Sequence, residues 1–161
     1  MFEKLSQFYY KQNRLMFVLI NYLILSLLLI IPFNLLNVFF EINKDLVNEG
    51  IKNMSALNLF IVTVIIAPLF ETLFFQYGII KTFTYFNPKT KYIAIFLSSL
   101  LFSLIHLYSL TYIIYTFIMG VFFGILYFAS VKKGLMPYWI IVIVHSLYNF
   151  TVFIFNEYIL K

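Results

Sequence analysis

The chain has 161 residues, 63% of them hydrophobic and 11% charged, with a mean hydropathy of +0.98. That balance lies outside the range of soluble domains and implies an integral membrane protein, with one compact bundle expected at this length and no separate soluble domain. The lack of cysteine excludes disulfides, thiolate metal sites and a cysteine nucleophile, and the net charge of +5 does not call for nucleic acid, because the basic residues sit between apolar runs as topology signals do.

A bilayer span needs about 20 apolar residues. Five segments qualify, 15–40, 57–80, 91–108, 111–131 and 138–158, which predicts an all-α, polytopic bundle of about five transmembrane helices in a single membrane domain, 1–161. The first run passes Ile30 without a small-residue cleavage site, so it reads as a retained span and not a signal peptide. Pro32 and Asn34 predict that it tilts, kinks or ends early. The polar stretch "EINKDLVNEGIKN" follows, with Glu41, Lys44, Asp45, Glu49 and Lys52, and is a candidate for a short interfacial helix. No internal repeat or low-complexity tract is found.

Lysine and arginine counts set the orientation. Lys4, Lys11 and Arg14, then Lys81, Lys89 and Lys91, then Lys132 and Lys133 fall on one side, against Lys44, Lys52 and Lys161 on the other. The N-terminus is therefore expected to be cytoplasmic and the C-terminus outside, in a bacterial cytoplasmic membrane.

Inside the spans the clear ionisable residues are Glu71, His106 and His145; Glu157 lies near a span end and can reach the interface. An ionisable group in the hydrocarbon costs roughly 2.5–3.5 kcal/mol on insertion scales, so it needs a partner or a role. Ala67, Glu71 and Gly78 follow helical spacing and predict a stripe where small residues admit a close neighbour. Ser99, Ser103 and His106 form a polar seam on the next span, Gly120 and Gly124 stand at the small-xxx-small spacing, and "HSLYN" puts His145 and Asn149 on one face. These helices look built to close around a polar centre.

The chemistry such a centre offers is narrow. A carboxylate away from bulk water suits a general base, so Glu71 with His106 opposite can hold and deprotonate a water. His145 and Asn149 offer two donors for an oxyanion. Water attack on an amide or ester is the natural reaction class. Glu71, His106 and His145 are also a conceivable set for a divalent metal, though no HExxH pair exists and the third ligand would come from a distant helix; no cofactor is otherwise expected. Against this, a lone intramembrane histidine more often packs than reacts, and HxxxN alone is a weak pattern. Glu71 has the stronger claim, because Gln or Ser would serve packing at lower cost.

Read together, "ETLFFQ", "FSLIH" with Phe102 and His106, and "HSLYN" with His145 and Asn149 resemble the three motifs of the CPBP (CAAX protease and bacteriocin-processing, or Abi) family, in order and with matching separations. Pro68 ahead of the glutamate and the flanks "FIMGVFFGILYF" and "GLMPYWIIVIVH" fit as well. The resemblance implies a four-helix core over 57–158 with 15–40 as an added span, and an intramembrane glutamate-type peptidase acting on a membrane-embedded or lipidated protein or peptide. It further implies that Glu71 and His106 activate water while His145 and Asn149 support the oxyanion. The family's second glutamate is Thr72 here and its arginine is Gln76. One carboxylate and one guanidinium vanish together, so a Thr and Gln pair can stand in for an ion pair at less desolvation cost.

The resemblance also admits acyl transfer in lipoprotein maturation, or a non-catalytic immunity or scaffolding role. A proton-coupled carrier fits less well, since the spans show no paired broken helices. One geometric tension accompanies the reading. At 1.5 Å per residue, spans drawn as above put Glu71 about 14 Å, His145 about 10 Å and His106 about 22 Å from the cytoplasmic helix ends. Extending the second helix to Phe86 brings Glu71 level with His106 but farther from His145.

Overall fold

Apolar runs bounded by asparagine, serine, proline and glycine give helices joined by short turns. The computed structural model describes residues 2–40, 54–107 and 109–156, with side chains from residue 7 onward and not at 30–40. The predicted interfacial helix near 41–53, and Glu157, lie outside the described residues. Helix α1 spans Phe2–Lys11 and α2 spans Arg14–Phe40, started by Asn13, whose side-chain oxygen accepts from the Met16 amide at 2.9 Å. Helix α1 is absent from the sequence reading. Helix α2 continues through Pro32 to Phe40, so the proline does not end it.

Helix α3 runs Ala56–Phe86, capped by Ser55, and extends six residues past the predicted end at 80. After the short turn at Pro88–Thr90, α4 covers Lys91–Leu104, shorter than the predicted 91–108. Helix α5 covers Leu110–Lys132, capped by Ser109, and α6 covers Pro137–Ile154 with proline at its start. Gly134 ends α5 at φ 69°, where the Leu135 amide donates to the Ser130 carbonyl and the Gly134 amide to Val131. That is the left-handed turn glycine tolerates best.

All described elements are helical. Three helices are long and apolar enough to cross a bilayer, α3, α5 and α6; the shorter apolar segments are Arg14–Leu29 of α2 and the 14-residue α4. Helix α4 packs most extensively on α5, and α2 and α5 both pack on α6. A Cβ on Gly120 would stand 2.8 Å from the Ser99 Cα, and one on Gly124 2.8 Å from the Ile95 side chain. The two glycines are thus what lets α5 lie directly on α4, as small-residue seams do where lipid removes any hydrophobic drive between helices. Phe17, Leu25, Phe102, Phe123, Leu126, Ile141 and Val144 fill the interior. Large apolar side chains such as Phe70, Phe74, Phe96, Ile118 and Trp139 face outward, as a lipid-solvated bundle requires.

Candidate active site

The glutamate is carried by an unusual helix. In α3 the Ala67 amide donates five residues back, to the Val62 carbonyl, and widened turns of this kind occupy Ile61–Ile66 and Thr72–Ile79. Pro68 lies between them and has no amide hydrogen to give. The buried residues of the helix are Val64, Pro68, Thr72, Gln76 and Ile80, a strict four-residue step. An ordinary helix turns about 100° per residue, so such a row would drift about 40° at every step. The widened turns absorb the drift and keep the row on one face. The predicted stripe of Ala67, Glu71 and Gly78 is therefore corrected: Ala67 and Gly78 are only partly buried, and a Cβ on Gly78 would meet the Leu73 carbonyl of its own helix at 2.8 Å. Gly78 accommodates the wide turn, not a neighbouring helix.

Glu71 stands beside the buried row, with its side chain 19% exposed. His106 Nε2 lies 3.8 Å from its Oε1 and His145 Nε2 3.7 Å from its Oε2, so three helices deliver one carboxylate and two imidazoles to one point. The expected gap in depth closes for two reasons. Helix α3 does reach Phe86, and the wide turns between Thr72 and Ile79 add less length per residue than an α-helix, which draws Glu71 back toward His145.

The two histidines are held in different ways. His106 lies just beyond the end of α4, where its amide donates to the Ser103 carbonyl at 3.0 Å. Its Nδ1 is 2.8 Å from the Phe102 carbonyl. A carbonyl only accepts, so Nδ1 carries the proton, and in the neutral ring Nε2 presents a lone pair toward Glu71. His145 is 2% exposed and its buried Nδ1 has no partner among the described residues. An orphaned N–H costs more than an orphaned lone pair, which favours the tautomer with hydrogen on Nε2, a donor toward Glu71. One imidazole accepts and the other donates.

Phe102, fully buried, separates the rings, with its centroid 4.9 Å from His106 and 6.1 Å from His145; Phe123 packs on His145 at 4.8 Å. Thr72 and Gln76 are fully buried, and neither the Thr72 hydroxyl nor the Gln76 amide has a hydrogen-bond partner among the described residues. They do not bond each other, so the expected Thr and Gln substitute for an ion pair is not formed. Asn149 Nδ2 donates to the Thr63 carbonyl at 2.8 Å. That carbonyl is left over by the wide turn: the Ala67 amide is taken by Val62, and the next candidate, residue 68, is proline. This contact was not foreseen, although Pro68 was its visible signal.

Among the described residues no group of three or more His, Asp or Glu side chains is disposed to hold a metal ion. The ligand set considered from the sequence, Glu71, His106 and His145, is not among such groups.

The polar centre can be compared with known proteins. A family model described as type II CAAX prenyl endopeptidase Rce1-like matches residues 53–151, the stretch that carries all three motifs. No curated protein and no solved structure matches the chain. The match agrees with the CPBP resemblance, and an intramembrane endopeptidase is the activity this family suggests. The chain belongs to the Rce1-like family of type II CAAX prenyl endopeptidases.

Proposed function

We propose that this protein is an intramembrane endopeptidase in which Glu71 is the general base. The observation that carries the reading is the approach of His106 and His145 to two different oxygens of the Glu71 carboxylate, at 3.8 and 3.7 Å. Two acceptors, His106 Nε2 and Glu71 Oε1, cannot bond each other, and at 3.8 Å they suit a water that donates to both.

The chemistry follows from these roles. The water oxygen attacks the scissile carbonyl carbon while its proton passes to Glu71, and His106 keeps the water oriented. The carbonyl oxygen becomes an oxyanion that accepts from His145 Nε2–H. The tetrahedral intermediate then collapses, the C–N bond breaks, and Glu71 returns the proton to the leaving amine. Asn149, one of whose two amide hydrogens is engaged by the Thr63 carbonyl, acts as a positioning residue that holds the Glu71 helix against α6.

The substrate class is a membrane-embedded or lipidated peptide, since the centre lies among helices whose outer faces are apolar. The N-terminus is assigned to the cytoplasm on the distribution of basic residues. The test is purified protein in vesicles given a peptide ending in a prenylated cysteine and three further residues. Wild type should release the C-terminal fragment, and Glu71→Gln, inserted to the same level, should not. Release by the variant at the wild-type rate would overturn the base assignment.

A further inference from the structure

At the end of the bundle where α2 begins and α5 ends, far in sequence from the polar centre, a second constellation of side chains stands outside the proposed chemistry. The elbow between α1 and α2 and the turn after α5 border an open, shallow depression of about 500 Å³. Lys11, Arg14, Lys132 and Lys133 all line it. The corner is a built one: Lys133 donates to the Tyr10 carbonyl at 2.6 Å and to the Gln12 carbonyl, which fixes the elbow on the turn that Gly134 makes possible. The Lys132 ammonium stands 4.4 Å from the centroid of the Tyr10 ring.

Among the described side chains no counter-charge meets these cations. Among residues whose side chains are described, Glu71 is the one carboxylate, and it belongs to the polar centre. Four like charges around one concavity repel each other, and an anion bound among them relieves that repulsion. Lys11, Arg14 and Lys132 are exposed and available to it.

The surroundings select the kind of anion. Leu15 and Met16 on the first turn of α2 are 66% and 43% exposed, and Val131 and Met136 beside the opposite wall are 51% and 65% exposed. A cationic space at the end of the membrane helices, bordered by bare apolar side chains, matches an amphiphile with a phosphate head and acyl chains. We infer that this corner is a binding site for one acidic phospholipid, its phosphate held by Arg14 and Lys132 and its chains lying along the exposed apolar residues of α2. A free phosphate would make no use of that apolar border.

The experiment is native mass spectrometry of the whole chain released from detergent after incubation with phosphatidylglycerol or phosphatidylcholine. Wild type should retain one phosphatidylglycerol and no phosphatidylcholine. Arg14→Gln and Lys132→Gln should each lower that occupancy about fivefold, the effect of one charge near an anionic headgroup; both residues are exposed, and Lys133, which holds the corner together, is left intact. Lys81→Gln near the end of α3 and Lys89→Gln in the turn after it, at the same end, should change it less than twofold. Equal retention of the two lipids, or equal loss in all four variants, would reduce the corner to general surface charge and overturn the inference. The outcome is independent of whether the protein cleaves peptides.

Discussion

The side-chain amide of Asn149 on α6 donates to the main-chain carbonyl of Thr63 on α3, at 2.8 Å, across 86 residues of sequence. Pro68 creates the need for this bond, because it removes the amide that would otherwise serve that carbonyl after the Ala67 amide has gone to Val62. A proline-broken helix and an asparagine on its neighbour thus form one unit, and Glu71 sits three residues after the break.

This unit predicts a rescue. Asn149→Ala should slow cleavage about tenfold, the effect of leaving a part-buried carbonyl unpaired at a cost of about 1 kcal/mol. Pro68→Ala alone should change it less than threefold. The double variant should recover to within about threefold of Pro68→Ala, because an alanine in place of the proline supplies the missing amide hydrogen. If Asn149 instead bound the oxyanion directly, the double variant would be as slow as Asn149→Ala.

The opposite polarities assigned to the two imidazoles predict what each position tolerates. His106→Ala should lower kcat about 10²-fold, the effect of a misplaced attacking water, and His145→Ala about 10²–10³-fold, the range for loss of one oxyanion donor. His145→Gln keeps an N–H donor and His106→Gln keeps an acceptor oxygen for the water, so each should regain at least tenfold over its alanine variant. Leucine at either position, which offers neither, should be as slow as alanine; activity with leucine would contradict the assigned hydrogen-bond roles.

Gly120 and Gly124 differ in what a methyl group would strike. At Gly120 it meets the Ser99 backbone, which cannot step aside; at Gly124 it meets Cγ2, Cγ1 and Cβ of Ile95, the stiff root of a β-branched side chain. Gly120→Ala and Gly124→Ala should therefore each cost about 1–3 kcal/mol as overpacked contacts. Thermal unfolding in detergent should show a drop in Tm for both variants.

The disposition of Glu71, His106 and His145 predicts indifference to metal removal. Cleavage should be unchanged after prolonged treatment with EDTA or phenanthroline and should not rise on adding zinc. Loss on chelation with recovery on a specific metal would show that the two histidines share an ion with Glu71 and would contradict the metal-free base.

Much of this was legible in the sequence, for physical reasons. Long apolar runs with punctuating lysines must be membrane helices, and an ionisable residue within them must have a partner, so Glu71, His106 and His145 stood out and do meet. The rest was hidden by the assumption of one helical period. Val64, Pro68, Thr72, Gln76 and Ile80 look unremarkable at 3.6 residues per turn, and only the wide turns make them a single face. The same turns displaced Gly78 from the role its spacing suggested and freed the Thr63 carbonyl for Asn149. His106 reads as helical by spacing, yet α4 stops at Leu104 and the Phe102 carbonyl holds the ring instead.

The most direct test of the central claim compares membrane-protein termini by mass spectrometry in cells carrying wild-type protein and cells carrying an equal amount of Glu71→Gln. With Glu71 as the base, the variant cells should accumulate at least one uncut membrane or lipidated protein whose new terminus is present only with wild type. Unchanged termini with altered lipid attachment would point to acyl transfer at the same centre, and identical profiles would contradict a catalytic role for Glu71.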